Sequence, residues 1–217
     1  MHISTPASST AAESEPVAHY ARLTIVAHWM SALSFALVLG AIWAREWIEE
    51  YAMRVNLLGM HRQLGMVLLI LWVVRITARK IYPKKPSGKP LSDLQKVAVF
   101  MCHSALYALL LAMPVLGWML SNAHGAEVRM FGMFNLPHLV GRDSDLEDTL
   151  MTAHEYCAYL MVAMVTMHIS AALWHHFVRR DHILAAMLPF IGAKTECKQT
   201  LSAAAAPSCQ PAAASPN

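Results

Sequence analysis

What this chain can fold into is constrained first by four stretches of about 20 residues from which charge is nearly absent. About 20 residues of helix cross the roughly 30 Å hydrocarbon core of a bilayer. A helix also satisfies its own backbone hydrogen bonds, as any lipid-embedded segment must. The stretches are 23–44, 59–78, 97–121 and 150–178, with Arg62 and Arg75 near the ends of the second and Pro114 inside the third. Pro114 removes one backbone donor and predicts a kink there. The expected fold class is therefore all-α integral membrane, an antiparallel four-helix transmembrane bundle. Composition agrees: 56% of residues are hydrophobic and 14% charged, the opposite of a disordered chain. Four cysteines without a CxxC pair speak against a disulfide or zinc-ribbon scaffold. A net charge of +3 gives no reason to expect nucleic acid as a partner.

Loop charge predicts the orientation. Between Arg79 and Lys96 six basic residues face one acidic residue, whereas 45–54 sums to −1 and 127–148 to −3. Residues 179–198 sum to +2. Basic residues remain on the cytoplasmic side, so both termini are expected inside and the two acidic connections outside. All six Trp fall towards segment ends, where indole rings prefer the interface. Residues 1–20 lack the basic start of a signal peptide and read as a polar cytoplasmic tail. Residues 191–217 read as a second, disordered tail, mostly Ala, Pro, Ser and Gln from 199 onward. The connection between the third and fourth spans carries an apolar run, Met130 to Phe134. That run is open to three readings: it lies on the membrane surface, it lids a site, or it is an ordinary loop.

Histidine is unusually frequent, 12 against 17 Lys and Arg together. Within the fourth span His154 and His168 are 14 residues apart. Fourteen residues turn about 1400°, about 40° short of four full turns, so both share one helix face about 21 Å apart. His28 lies six residues past Arg22 and His168 eleven before Arg179, which puts both in the inner half. His61 and His154 both lie near the outer surface. Two depth-matched pairs result, His28 with His168 and His61 with His154. Two imidazoles on facing helices of a bundle suit the two axial positions of a b-type haem, and the absence of CxxCH argues against covalent attachment. A structural role for each histidine is the competing reading, although unpaired imidazoles in hydrocarbon are costly. Arg75 lies 14 residues after His61, on the same face but at the inner depth. With Arg79 as the alternative, it is the candidate for the haem propionates; snorkelling to headgroups is the other reading. Gly65, one turn after His61, would let a flat macrocycle approach the backbone, or else serves helix packing. His103 shares the inner depth and competes with His28 as partner of His168, or contacts a propionate or quinone carbonyl. His175 and His176 belong at the inner interface. His154-Glu155 begins like HExxH but lacks the second His.

These residues together resemble the bacterial cytochrome b561 family. The resemblance covers about 19–190 and rests on Tyr20 to Trp29, Met60-His61-Arg62-Gln63-Leu64-Gly65, Val74 to Arg79 before Tyr82-Pro83, His103 ahead of Pro114 and Gly117-Trp118, His154-Glu155, Met167-His168, His175-His176 and Leu188-Pro189. The resemblance implies a diheme cytochrome domain over 21–190 in the bacterial inner membrane. It also implies axial ligands His28 with His168 and His61 with His154, so two haem b groups in all. Ubiquinone is the implied redox partner. Superoxide is an implied periplasmic donor, in a superoxide:ubiquinone oxidoreductase (superoxide oxidase) activity. Superoxide is an anion, and Arg45, Arg54, Arg62, Arg129 and Arg142 are the side chains that could gather it on the outer side. Two other classes remain at this stage: a cytochrome subunit relaying electrons between quinone and a separate dehydrogenase or hydrogenase, and a non-redox membrane protein with structural histidines.

Overall fold

A computed structural model describes residues 22–82, 92–179 and Met187. The tails expected at 1–20 and 191–217, and most of the basic connection after Tyr82, lie outside the described residues. Four long helices dominate: α1 (Arg22–Trp47), α2 (Tyr51–Ile81), α3 (Asp93–Ala123) and α4 (Ser144–Phe177). Each is long and apolar enough to cross a membrane, and large apolar side chains such as Leu33, Ile70, Phe100 and Leu160 remain exposed on the bundle's outside. In a lipid solvent that is the expected arrangement, because the bilayer covers them.

The helices outrun the spans read from apolarity because their ends continue into polar surroundings. Ser92 caps α3, its side chain accepting from Gln95 N while Gln95 Oε1 accepts from Ser92 N. Asp143 caps α4 by accepting from Asp145 N and Leu146 N. Helix α4 therefore starts six residues before the expected span, and the connection shortens to His124–Asp143. Helix α3 runs through Pro114 as one element. The connection also contains a short antiparallel hairpin, β1 (Arg129–Met130) and β2 (Phe134–Asn135), where the sequence suggested no regular structure.

Small residues hold the bundle together. The buried stripe of α1 is Ala27, Ser31, Ser34, Val38 and Ala41, spaced alternately by four and three. Small side chains let the backbones close without a hydrophobic drive, which lipid does not supply. Ser31 Oγ donates to Ala27 O at 2.7 Å, so its hydroxyl is satisfied within the helix. Helix α1 packs most extensively on α2, and α3 on α4, while α2 also meets α3. By contrast the backbones of α1 and α4, and of α2 and α4, scarcely approach each other. The bundle thus has two tight seams and a wider interior on the α4 side. We call its two ends the loop end, with the His124–Asp143 connection, and the terminal end, with Arg22 and Phe177.

Candidate functional site

Histidines from helices that do not pack closely meet across that interior. At the loop end the rings of His61 (α2) and His154 (α4) have centroids 6.2 Å apart. At the terminal end His28 (α1) and His168 (α4) are 6.5 Å apart. The two pairs share α4, so their separation along the axis follows from the 14 residues between His154 and His168, about 21 Å.

The surroundings of the loop-end pair settle ring orientation. His61 Nδ1 lies 3.1 Å from the carbonyl oxygen of Val38, an acceptor only, so Nδ1 carries the proton and donates. Its Nε2 is then the free lone pair, the form in which a histidine binds metal. His154 Nδ1 is buried without a hydrogen-bond partner among the described residues. Gly117 of α3 lies directly against the His154 ring: a Cβ there would come within 3.3 Å of Cε1. Around Gly65, in contrast, nothing lies within 4 Å of a Cβ position, so its smallness is not spent on helix packing. Arg62 follows His61 directly in the chain, and Arg45 Nε at the same end is buried without a hydrogen-bond partner among the described residues.

The terminal-end cluster is larger. Arg75 Nη2 donates to His28 Nδ1 at 3.2 Å, and its guanidinium lies over the Tyr107 ring, 5.1 Å from the centroid. Arg79 flanks the same ring at 5.9 Å. Trp72 Nε1 donates to Tyr107 O at 2.9 Å and ties α2 to α3 at this depth. His103 joins the cluster, its ring 5.3 Å from His168, with Nδ1 donating to Val99 O at 2.7 Å. The expected site residues thus divide between the two ends: His61, His154 and Gly65 at one, His28, His168, His103, Arg75 and Arg79 at the other. His176 contacts Phe177 at the end of α4, with ring centroids 4.9 Å apart. Among the described residues no group of three or more His, Cys, Asp and Glu is placed to hold a metal ion, so the motif is paired imidazoles.

Geometry bears on whether such pairs can take an iron between them. Two metal–imidazole bonds of about 2 Å, plus about 1 Å from each nitrogen to its ring centre, place centroids about 6 Å apart. The separations of 6.2 and 6.5 Å fit that spacing, and His103 with His168 at 5.3 Å is too close. The residues would fit a haem at each end, held by His61 and His154 at one and by His28 and His168 at the other.

Val38, Tyr107 and Gly117 entered no reading of the sequence as site residues. A signal for two of them was present. Gly117 lies 14 residues after His103, on its face and at the opposite depth, and Tyr107 lies one turn after it.

Known proteins identify the family. The chain matches the family model of prokaryotic cytochrome b561 over residues 19–190. It is 30% identical to cytochrome b561 homolog 2 of Escherichia coli (strain K12), over 78% of this chain and 90% of that protein. It is 28% identical to the probable superoxide oxidase CybB of Yersinia pestis, over 78% of this chain and 96% of that one. Cytochrome b561 homolog 1 of Escherichia coli is 26% identical, covering 78% and 97%. The chain belongs to the prokaryotic cytochrome b561 family, and with it to the haem b proteins that carry electrons through the bacterial inner membrane.

Proposed function

We propose that this chain holds two haem b groups, one between His61 and His154 and one between His28 and His168, and passes electrons from superoxide at the loop end to ubiquinone. The observation that carries this reading is the pair of imidazole–imidazole separations, 6.2 and 6.5 Å, each bridging helices whose backbones stay apart. When bound, the haems supply the one-electron chemistry. Everything else falls to the chain. Val38 O holds the His61 ring so that Nε2 faces inward. Gly117 leaves room for the His154 ring, and open space at Gly65 admits a flat ligand to the α2 backbone. At the terminal end Arg75 and Arg79 stand on Tyr107 as carboxylate binders, suited to propionates. His103, whose ring lies 5.3 Å from that of His168, takes in this reading the part of a neighbour to that pair and not of a third ligand.

In this reading the loop end faces the periplasm, following the acidic connections and the basic flanks at the other end. Superoxide as donor is supported by Arg62 next to His61, with Arg45 at the same end, and by the likeness to the probable superoxide oxidase of Yersinia pestis. The connections around it are acidic, so the pair must act as a local positive spot within a negative rim. Mixing purified protein with superoxide and following haem reduction optically tests this. The expected result is fast reduction that slows as salt rises, since screening weakens steering over a Debye length of about 8–10 Å. Arg45→Gln should remove most of the salt dependence. Reduction by superoxide no faster than by an uncharged donor, with quinone still reduced, would exclude superoxide and retain the electron path.

A further inference from the structure

The hairpin of the α3–α4 connection carries three large apolar side chains into the open: Phe131 is 57% exposed, Met133 76% and Phe134 53%. Its backbone does not share that openness. Met133 N donates to Met130 O and Leu136 N to Val128 O, both at 2.9 Å. The tip is further tied to α2 by one side chain, Gln63: its Nε2 donates to Arg129 O at 2.5 Å, and its Oε1 accepts from Phe131 N at 3.0 Å. Backbone groups that are paired inside the protein are what a segment needs if it is to leave water. At the base the chemistry reverses. Glu127 there accepts from Asn135 Nδ2 at 2.9 Å and pairs with Arg129 at 3.4 Å, leaving a polar collar behind an apolar tip.

The hairpin's place on α2 decides what the tip meets. Gln63 and Met66 lie two and five residues after His61, so they project about 200° and about 140° around the helix from it. His61 faces His154 and the interior; Gln63 and Met66 face the other way. Met66 is nonetheless only 6% exposed, because Val128 and Met130 of the hairpin cover it together with Leu69, Trp118 and Leu136. The hairpin therefore clasps the outer flank of α2 and does not lid the histidine pair. In depth, Gln63 is about six residues, or about 9 Å, from the middle of the 59–78 stretch, inside the roughly 15 Å half-thickness of a bilayer core. An apolar tip on the outside of a transmembrane bundle, at that level, would meet lipid and not water.

We propose that the 129–135 hairpin is a membrane-seated anchor. Its tip residues Phe131, Met133 and Phe134 lie in the lipid leaflet at the loop end, and its Glu127–Arg129–Asn135 collar lies among the headgroups. It fixes the depth of α2, and hence of His61, independently of any cofactor.

Nitroxide accessibility in reconstituted full-length protein tests this. Cys102, Cys157, Cys197 and Cys209 are replaced by Ala, and a single label is placed through Met133→Cys, or through Gly141→Cys as the control in the same connection. Vesicles of phosphatidylcholine and phosphatidylglycerol are used, with oxygen as the hydrocarbon-soluble relaxant and a nickel chelate as the aqueous one. Retained helicity and a single elution peak show that each variant folds; if Met133→Cys does not, Phe134→Cys carries the same reading. The expected result is an oxygen-to-nickel accessibility ratio several-fold higher at 133 than at 141. Equal ratios at the two positions would place the tip in water and overturn the proposal. Protection of the 133 label from both relaxants would place it under protein, a second copy or a partner chain, and would overturn it too.

Discussion

The two histidine pairs are alike in spacing and unlike in what holds them. At the loop end His61 gives its Nδ1 proton to a backbone carbonyl of α1, and His154 is backed by a glycine. No charged side chain is hydrogen-bonded to either ring among the described residues. At the terminal end His28 Nδ1 accepts from a guanidinium, and a third imidazole crowds His168. The difference concerns readiness. A ring whose Nδ1 donates presents a free Nε2 and is set for metal as it stands. A neutral ring whose Nδ1 accepts carries its proton on Nε2, so His28 would have to exchange its Arg75 contact before its Nε2 could serve as a metal ligand. A haem propionate is the group that would draw Arg75 away, since a bidentate carboxylate is a stronger partner than an imidazole nitrogen. Packing holds the loop-end pair, whereas a guanidinium contact holds the terminal-end pair.

That contrast can be broken most sharply at the terminal end. His168→Ala should abolish the terminal-end haem and electron delivery to quinone while His103→Ala leaves haem content unchanged. Haem-to-chain ratios of the two variants check this, and a haem lost from His103→Ala would reassign the ligand. The next effect in size concerns Arg75. Arg75→Gln removes both the His28 contact and the carboxylate binder, and should weaken the terminal-end haem about 10–100-fold with the loop-end haem unaffected. Arg75→Lys should restore little, because a point charge does not reproduce the planar fork. Titration of haem into apoprotein reads both. The smallest effect belongs to the loop end. Gly117→Ala puts a methyl 3.3 Å from His154 Cε1, an overpacking cost of about 1–3 kcal/mol. It should shift the loop-end midpoint potential and leave the terminal-end one in place, as seen in a redox titration that resolves two components.

The spans were legible because apolar length is a strong constraint, the depth of the histidines because a helix rises about 1.5 Å per residue, and the shared face of His154 and His168 because 14 residues is nearly a whole number of turns. Helix ends were not legible from apolarity, since Asp143 and Ser92 extend α4 and α3 through hydrogen-bonded caps in polar surroundings. Spacing left His28 and His103 both open as partner of His168, since they share its depth; their ring separations from it, 6.5 and 5.3 Å, are set by side-chain placement that no spacing rule carries. Arg75 could be assigned a depth and a face, but its contact with His28 depends on a long side chain reaching sideways to another helix. The hairpin was hidden for a different reason. Its strands are two residues each, and its register depends on Gln63, a residue 66 positions before Arg129.

The central claim is that the two pairs bind two haems independently. Haem per chain, measured spectroscopically on protein with intact helicity, tests it most directly across wild type, His154→Ala and the double variant His154→Ala/His168→Ala. The account predicts two, one and none. A wild-type ratio of one, or a His154→Ala ratio that stays at two, would contradict it.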